Sequence, residues 1–390
     1  MTRLRILADD LTGALDCAAA FGPGVPVRLG RAGQAQAQGI DIVATATRDV
    51  PPHTLAEHLA PSLAWLRGAD VAFKKIDSLL RGNTFAEIHW LAQQAPFSAL
   101  GVVPAFPAQQ RLTQHGQQRW RSPDGAWALA GDLRAQLQAL GWRVDTGPDA
   151  PPLGSGPLAW VPDVHSDAEL DHVAQHALRA GPAWLWCASA GLAHALARQG
   201  LRPEPPGGQA AGTPAVAATA DAAHTEAAHA DAQDTDAEGA GRHPLLVSAS
   251  HHPVTRSQWQ VLQHTPGLRC LHWDTAPLPL QADAPGPVLM DLSPQGRLSA
   301  TQAAALLQTQ ALALAQSAPR PRVMVVVGGD TLLALCRALG ATGLCSAQAP
   351  ARAGWGCARL QGGRWPDLLC YTRSGAFGGP QDLLEMLRSV

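Results

Sequence analysis

Lysine is almost missing from this chain. Of its 29 basic residues only Lys74 and Lys75 are lysines, and all the others are arginine. There is a single tyrosine against 12 tryptophans, in a chain rich in Ala, Gly and Pro. Codon pressure in a GC-rich genome produces this bias, trading Lys for Arg wherever either serves, so a surviving lysine points to a place where a compact ammonium suits better than a planar fork. Long apolar runs are also missing: none approaches the roughly 20 residues that a membrane span needs. The opening "MTRLRILADD" meets two acids before a signal-peptide core can form, and the expected setting is the cytoplasm. A net charge of −2 draws the protein neither to nucleic acid nor to a membrane surface. The seven cysteines (17, 187, 270, 336, 345, 357, 370) form no C-x-x-C pair, so reduced thiols are expected rather than a zinc cage. His172 and His176 sit at i, i+4 without a third ligand and read as a solvated helix face; no metal-ligating set is assigned. Neither a G-x-x-x-x-G-K-[ST] loop nor a G-x-G-x-x-G fingerprint occurs, which argues against a P-loop NTPase or an ordinary dinucleotide domain.

What is present is a chain of 390 residues, 46% hydrophobic, enough for two to three domains with a sizeable core. Residues 203–242, "PEPPGGQAAGTPAVAATADAAHTEAAHADAQDTDAEGAGR", hold almost no large apolar side chain and read as a flexible low-complexity linker. It separates an N-terminal domain, 1–202, from a C-terminal domain, 243–390. Both alternate short apolar runs with helical patterns. Strands are expected at "LRILA", "DIVATAT", "DVAFKKI", "ALGVVPA", "LAWVPDV", "AWLWCA", "HPLLVSAS", "PVLMDL", "RVMVVVGG" and "LLCYTRSG". Helices are expected at 54–67, 84–95, 167–180, 191–199, 255–264, 299–317 and 331–339. The fold class is therefore α/β: two α/β domains with largely parallel sheets and a cleft between them.

Open α/β sheets bind ligands beyond the carboxyl ends of their strands. After the first strand comes "ADDLTG", with Asp9, Asp10 and Thr12. Thr12 capping the next helix is the structural account, but capping explains one acid and not two. Paired carboxylates beside a helix start can equally accept hydrogen bonds from substrate hydroxyls, or take a proton from one about to attack phosphorus. After "DVAFKK" comes "IDSLLRGN", with Asp77, Ser78, Arg81 and Gly82 in one tight turn. These residues read either as an Asp77–Arg81 ion pair at i, i+4 or as an anion-binding turn in which Arg takes a carboxylate. Arg111 follows two prolines, Pro104 and Pro107, in a rigid loop. The C-terminal half instead offers small and glycine-rich strand ends. They are Ser250 in "LLVSASHH", Gly328, Gly329, Asp330 and Thr331 in "VVVGGDT", and Ser374, Gly375 and Gly378 in "YTRSGAFGGP". Backbone N–H groups at such turns cradle phosphates.

Taken in order, "ADDLTG", "KIDSLLRGN", "PAFPAQQRLTQHG", "SAGLA", "GGDT" and "RSGAFG" resemble the motifs of the four-carbon acid sugar kinases, which phosphorylate threonate, erythronate and 3-oxo-tetronate with ATP. The resemblance spans nearly the whole chain outside 203–242. It implies a sugar-acid-binding N-terminal domain, a nucleotide-binding C-terminal domain, and ATP with Mg2+ as co-substrate and cofactor. Asp9, Asp10, Thr12, Lys75, Asp77, Ser78, Arg81, Gly82 and Arg111 would then line the sugar-acid pocket. Ser250, Gly328 to Thr331, Ser374, Gly375 and Gly378 would hold ATP. Arg81 would grip the substrate carboxylate, Lys75 would add positive charge with Lys74 only its neighbour, and Asp10 or Asp9 would orient or deprotonate the attacking hydroxyl. Domain closure over the linker would exclude water. The family's late Lys is Arg373 here, the residues beside the loop arginine are Gln110 and Leu112, and the second domain's Ser-Gly-Ser turn reads "SAS" with Ala249. Two rival readings follow: a binding protein for nucleotide or sugar acid that has lost catalysis, and a hydroxy-acid dehydrogenase. The implied partners are a small sugar acid and ATP, with neither nucleic acid nor membrane; a homo-oligomer is allowed but not specified.

Overall fold

The computed structural model describes residues 2–33, 38–95, 97–122, 125–154, 156–203, 243–273, 286–294, 296, 298–348 and 355–390. The linker expected at 203–242 lies, from residue 204 onward, outside them. Among the described residues fifteen strands form one continuous sheet. From its N-terminal edge run Arg143–Asp145, Leu158–Trp160, Ala99–Val103, Trp184–Ala188, Val71–Lys75, Leu4–Ala8, Ile40–Ala44 and Pro26–Leu29, each parallel to the next. Pro26–Leu29 then pairs antiparallel with Gly343–Ser346, which pairs with Gly356–Gln361 and on to Leu369–Arg373, also antiparallel. Met324–Val327, Leu245–Ser248, Val288–Asp291 and Arg269–His272 complete the sheet, parallel again.

This is the α/β architecture that the alternating pattern implies, two largely parallel halves with a cavity where they meet. The inner strands "LRILA", "IDIVA", "VAFKK", "ALGVV" and "WLWCA" are buried along their whole length, because helices cover both faces of a parallel sheet. The halves are joined by more than chain connectivity. Besides the seam between Pro26–Leu29 and Gly343–Ser346, the Ser346 hydroxyl donates to the Gly22 carbonyl at 2.7 Å and accepts from the Val25 N–H at 2.9 Å. One hydrophobic cluster runs from Leu4, Leu15 and Trp186 through to Leu332, Leu344 and Ala358.

Strand register decides where the chemistry goes. Ala8 pairs with both Ala44 and Lys75, and Ala188 pairs with both Lys75 and Val103. The segments starting at Asp9, Thr45, Ile76, Pro104 and Ser189 therefore leave the sheet at one level. In the other half Ser248 pairs with Val327, and Val327 with Arg373, which aligns the turns at Ala249, Gly328 and Ser374.

A second, three-stranded antiparallel sheet, Arg111–Gln114, Gln117–Arg121 and Trp127–Asp132, escapes the sequence reading. Its strands "RLTQ" and "QQRWR" are too polar to show as apolar alternation. The histidine reading is corrected at one position. His172 is exposed and paired with Asp149 at 2.9 Å, but His176 turns inward against Trp160 and Trp184, each 5.4 Å between ring centroids. Burial pushes the His176 imidazole below its ordinary range.

Candidate active site

The Leu11–Phe21 helix starts directly beyond the first strand, and Asp10, not Thr12, is its N-cap. The Asp10 carboxylate accepts from the Gly13 N–H at 3.1 Å and from the Thr12 hydroxyl. Gly13 leaves room for the lysine: a Cβ there would lie 2.3 Å from Lys75 Nζ, and the ammonium would have to shift. Asp9 sits behind, only 3% exposed. Lys75 Nζ lies 3.6 Å from Asp9 Oδ1 and 3.7 Å from Asp10 Oδ1, so its ammonium bridges the pair.

The residue that ties the acids together is Arg48, which the sequence reading does not single out. Its Nε donates to Asp9 Oδ2 at 2.8 Å, and its two terminal nitrogens grip Asp10 at 2.8 and 2.9 Å. Nη2 also lies 3.6 Å from Asp77. Burial works against the Arg48 charge, but Asp10, Asp9 and Asp77 outweigh it and hold its pKa above the ordinary arginine range. Asp9 is pushed the opposite way: burial would raise it, yet Lys75 and Arg48 bring it below the usual carboxylate range. The signal for Arg48 was present, because it stands four residues past a strand end. It was hidden by being one arginine among many.

In the next turn the Asp77–Arg81 ion pair forms, with Arg81 Nε and Nη2 donating to Asp77 at 3.0 and 2.7 Å. The fork expected to grip a substrate carboxylate is thus occupied, although the Arg81 side chain stays 57% exposed. Gly82, at φ +74°, is where the chain approaches Arg48 most closely; a Cβ there would lie 2.4 Å from the Arg48 carbonyl oxygen. Asn83 completes that clasp by donating to the carbonyls of Thr47 and Val50 at 2.8 and 2.7 Å. Arg111 differs from the other cations. It donates to the neutral Ser78 hydroxyl at 2.6 Å and to Gln109 at 2.7 Å, and no carboxylate pairs with it among the described residues. Burial accordingly pushes its pKa down.

These residues open into a cavity of about 740 Å³. Asp10, Thr12, Arg48, Lys75, Asp77, Ser78, Arg81 and Arg111 line it from one half, and Arg373, Ser374 and Phe377 from the other. Asp9 and Gly82 lie behind its wall. Ser250, Gly328, Gly329, Asp330, Thr331, Gly375 and Gly378 do not line it; they form an adjoining set. The Thr255 hydroxyl donates to the Gly375 carbonyl at 2.7 Å, and a Cβ on Gly375 would meet Ser250 Oγ at 2.4 Å. Thr331 accepts from the Ala249 N–H at 3.3 Å. Gly328, at φ +105°, heads the Gly329–Ala338 helix, whose N-terminus has no side-chain cap. Burial and the charges of Asp49 and Asp10 raise the pKa of Asp330. Arg373, in place of the family's lysine, turns inward. It donates to Asp382 at 3.0 Å and to Gln258, and its guanidinium lies 4.7 Å over the Trp355 ring.

Four cations, Arg48, Lys75, Arg81 and Arg111, thus surround three carboxylates, Asp9, Asp10 and Asp77, leaving one positive charge in excess beside several acceptors. Such a site suits a small anion that also carries hydroxyl groups. A family model described as a sugar-binding N-terminal domain matches residues 4–125, which hold every one of these seven side chains. A D-threonate kinase of Cupriavidus necator is 33% identical over 243 residues, 51% of this chain and 56% of that protein. The chain is thus similar to a four-carbon acid sugar kinase over about half its length, and its first third matches a sugar-binding domain. It spans a little over half the length of that curated relative. Two solved structures share its fold. One is a Haemophilus influenzae protein from a family of unknown function, with a TM-score of 0.60 and 17% identity, 99% of each chain being covered. The other, from Salmonella typhimurium LT2 and provisionally called a tRNA synthase, has a TM-score of 0.65 and 17% identity, covering 100% of this chain and 99% of the other. No helix among the described residues is long and apolar enough to cross a membrane.

Proposed function

We propose that the protein is an ATP-dependent kinase that phosphorylates a four-carbon sugar acid of the threonate, erythronate or 3-oxo-tetronate type at a terminal hydroxyl. The observation that carries this reading is Arg111, which among the described lining residues is the cation without a carboxylate partner, set beside the Ser78 hydroxyl. The substrate carboxylate goes to Arg111 and Ser78, not to Arg81, whose fork already holds Asp77. The sugar hydroxyls then face Asp10, Thr12 and Asp77. Of the two adjacent acids, Asp10 is the base. It lines the cavity, whereas Asp9 is buried behind it with its pKa held down by Lys75 and Arg48. As the hydroxyl oxygen bonds to the γ-phosphorus and the bond to the departing ADP oxygen breaks, Asp10 receives the hydroxyl proton and Lys75 offsets the developing charge.

The adjoining turns fit a triphosphate. The uncapped start of the Gly329–Ala338 helix and the close Gly375–Ser250 approach present backbone groups free of bulky side chains. Among the described residues no group of three or more metal-binding side chains occurs. Mg2+, if it accompanies the phosphates, would need only one or two carboxylates from the protein. Asp330, the second residue of the Gly329–Ala338 helix, would be the carboxylate to hold it. Bound there, the ion would neutralise phosphate charge.

The test is a panel of four-carbon sugar acids assayed for ADP release with Mg-ATP, on Arg111→Ala and Arg81→Ala. Arg111→Ala should raise the KM for the acid at least tenfold and leave the KM for ATP within about twofold. Arg81→Ala should act more weakly. Equal effects of the two changes would end the Arg111 assignment, and sugar-acid binding without any ADP release would favour a catalytically degenerate binding protein.

A further inference from the structure

Lys74, the second of the two lysines, faces the opposite side of its strand from Lys75 and pairs with Glu87 at 2.7 Å. Each side chain is 1% exposed. An ion pair this deep is weak evidence of stability, since desolvating two charges costs several kcal/mol per ion and an apolar pair of similar volume is often as stable or more so. Its partners indicate another use. Glu87 Oε2 accepts from the Thr47 hydroxyl at 3.0 Å, Thr47 Oγ1 lies 2.7 Å from Thr45 Oγ1, and Thr45 donates to the Ala8 carbonyl at 2.9 Å. Between the two threonines Ala46 has φ +58°, a left-handed conformation that a non-glycine residue holds only under constraint. The residue after Thr47 is Arg48, whose backbone N–H donates to the Asp9 carbonyl at 3.2 Å.

We propose that Glu87, fixed by Lys74, is the positioning residue for Arg48. It holds the strained Thr45–Thr47 turn so that the guanidinium meets Asp9, Asp10 and Asp77 at once. Asn83 restrains the same turn through its backbone, and the helix that carries Glu87 starts at Thr84, so a single stretch of chain grips the turn from both ends. The proposal deepens the kinase reading above and rests on it only for its kinetic readout.

Two changes test it in the full chain. Thr47→Val is close in size and removes the hydroxyl's contacts with Glu87 and Thr45, leaving Lys74 and Glu87 paired; Thr47→Ser restores them. Lys74→Met/Glu87→Leu removes the pair and leaves no lone charge. Thr47→Val and the double variant should keep a Tm close to that of the parent and raise the KM for the sugar acid about tenfold, with the KM for ATP within twofold. Thr47→Ser should return the acid KM to within twofold of the parent. Independently of turnover, the Arg48 Nε–H resonance, held by Asp9 in the parent, should broaden or exchange rapidly in Thr47→Val and in the double variant. A folded Thr47→Val with parental kinetics and an unchanged Arg48 resonance overturns the proposal. A parent chain that turns over no sugar acid overturns the kinase reading instead, and the resonance still decides the positioning role.

Discussion

Gly329, the first residue of a helix in the C-terminal half, lies directly against Thr12 in the N-terminal half. A Cβ placed on Gly329 would stand 3.3 Å from both Cγ2 and Oγ1 of Thr12. The turn proposed to face phosphate and the residue proposed to face the sugar acid are therefore packed neighbours at the wall of the cavity that the two halves share.

A side chain at this contact has to push the two groups apart. Gly329→Val should lower kcat at least tenfold, while calorimetric affinity for the acid without nucleotide changes less than threefold. Transfer depends on sub-ångström placement of the reacting groups more than on the grip on either alone. Gly329→Ala, with a tight but adjustable contact, should fall between. A Gly329→Val variant with parental kcat would show that the contact has no part in turnover.

Arg48→Met removes the cation shared by three carboxylates and leaves buried Asp9 with Lys75 alone, 3.6 Å away. Breaking a buried pair from one side typically costs about 3–5 kcal/mol, and a loss near the lower end is expected in urea unfolding. Asp9→Asn/Arg48→Met should recover part of the stability and none of the turnover. If Arg48→Met unfolds at the parental urea midpoint, the acids are not held by Arg48.

The same charges set the acid limit. Burial would raise the pKa of Asp77, but hydrogen bonds from Arg81 and the charges of Arg48, Arg81 and Lys75 carry it far below the usual range. Asp9 and Asp291 are lowered as well, Asp291 chiefly by Arg256 against its own burial. A carboxylate depressed on folding contributes stability that is present above its unfolded pKa, about 4, and is lost as pH falls through the folded value. Unfolding free energy should therefore change little from these groups between pH 5 and 7 and drop steeply below about pH 4. Asp77→Asn should make that drop shallower. Asp330 has the opposite sign. Its raised pKa makes its ionised form a cost that appears as pH rises; because Asp330 is exposed that cost is small, so Asp330→Asn should raise Tm slightly at pH 7 and not at pH 3. Equal Tm shifts at both pH values would contradict this.

The parts legible in the sequence are those where local pattern and chemistry coincide. "ADDLTG", "KIDSLLRGN" and the glycine turns are polar or small residues placed just after apolar strands, and register alone brings them to one level. Relations without a local signature stayed hidden. Nothing near Pro26 announces that it pairs with Cys345. Arg48 resembles every other arginine until its partners are known. His176 shares a helix with solvated His172, yet a one-turn offset places it among tryptophans. Asp77 and Arg81 were open to two readings, and only geometry shows the ion pair made.

The seam of three residue pairs, together with the cluster shared by Leu15, Leu332 and Ala358, means that each half presents the other with a ready-made complementary edge. A chain cut between residues 203 and 243 should then behave as a split protein. Two polypeptides made separately would find each other through that edge, and the reassembled pair would recover its site without a covalent connection.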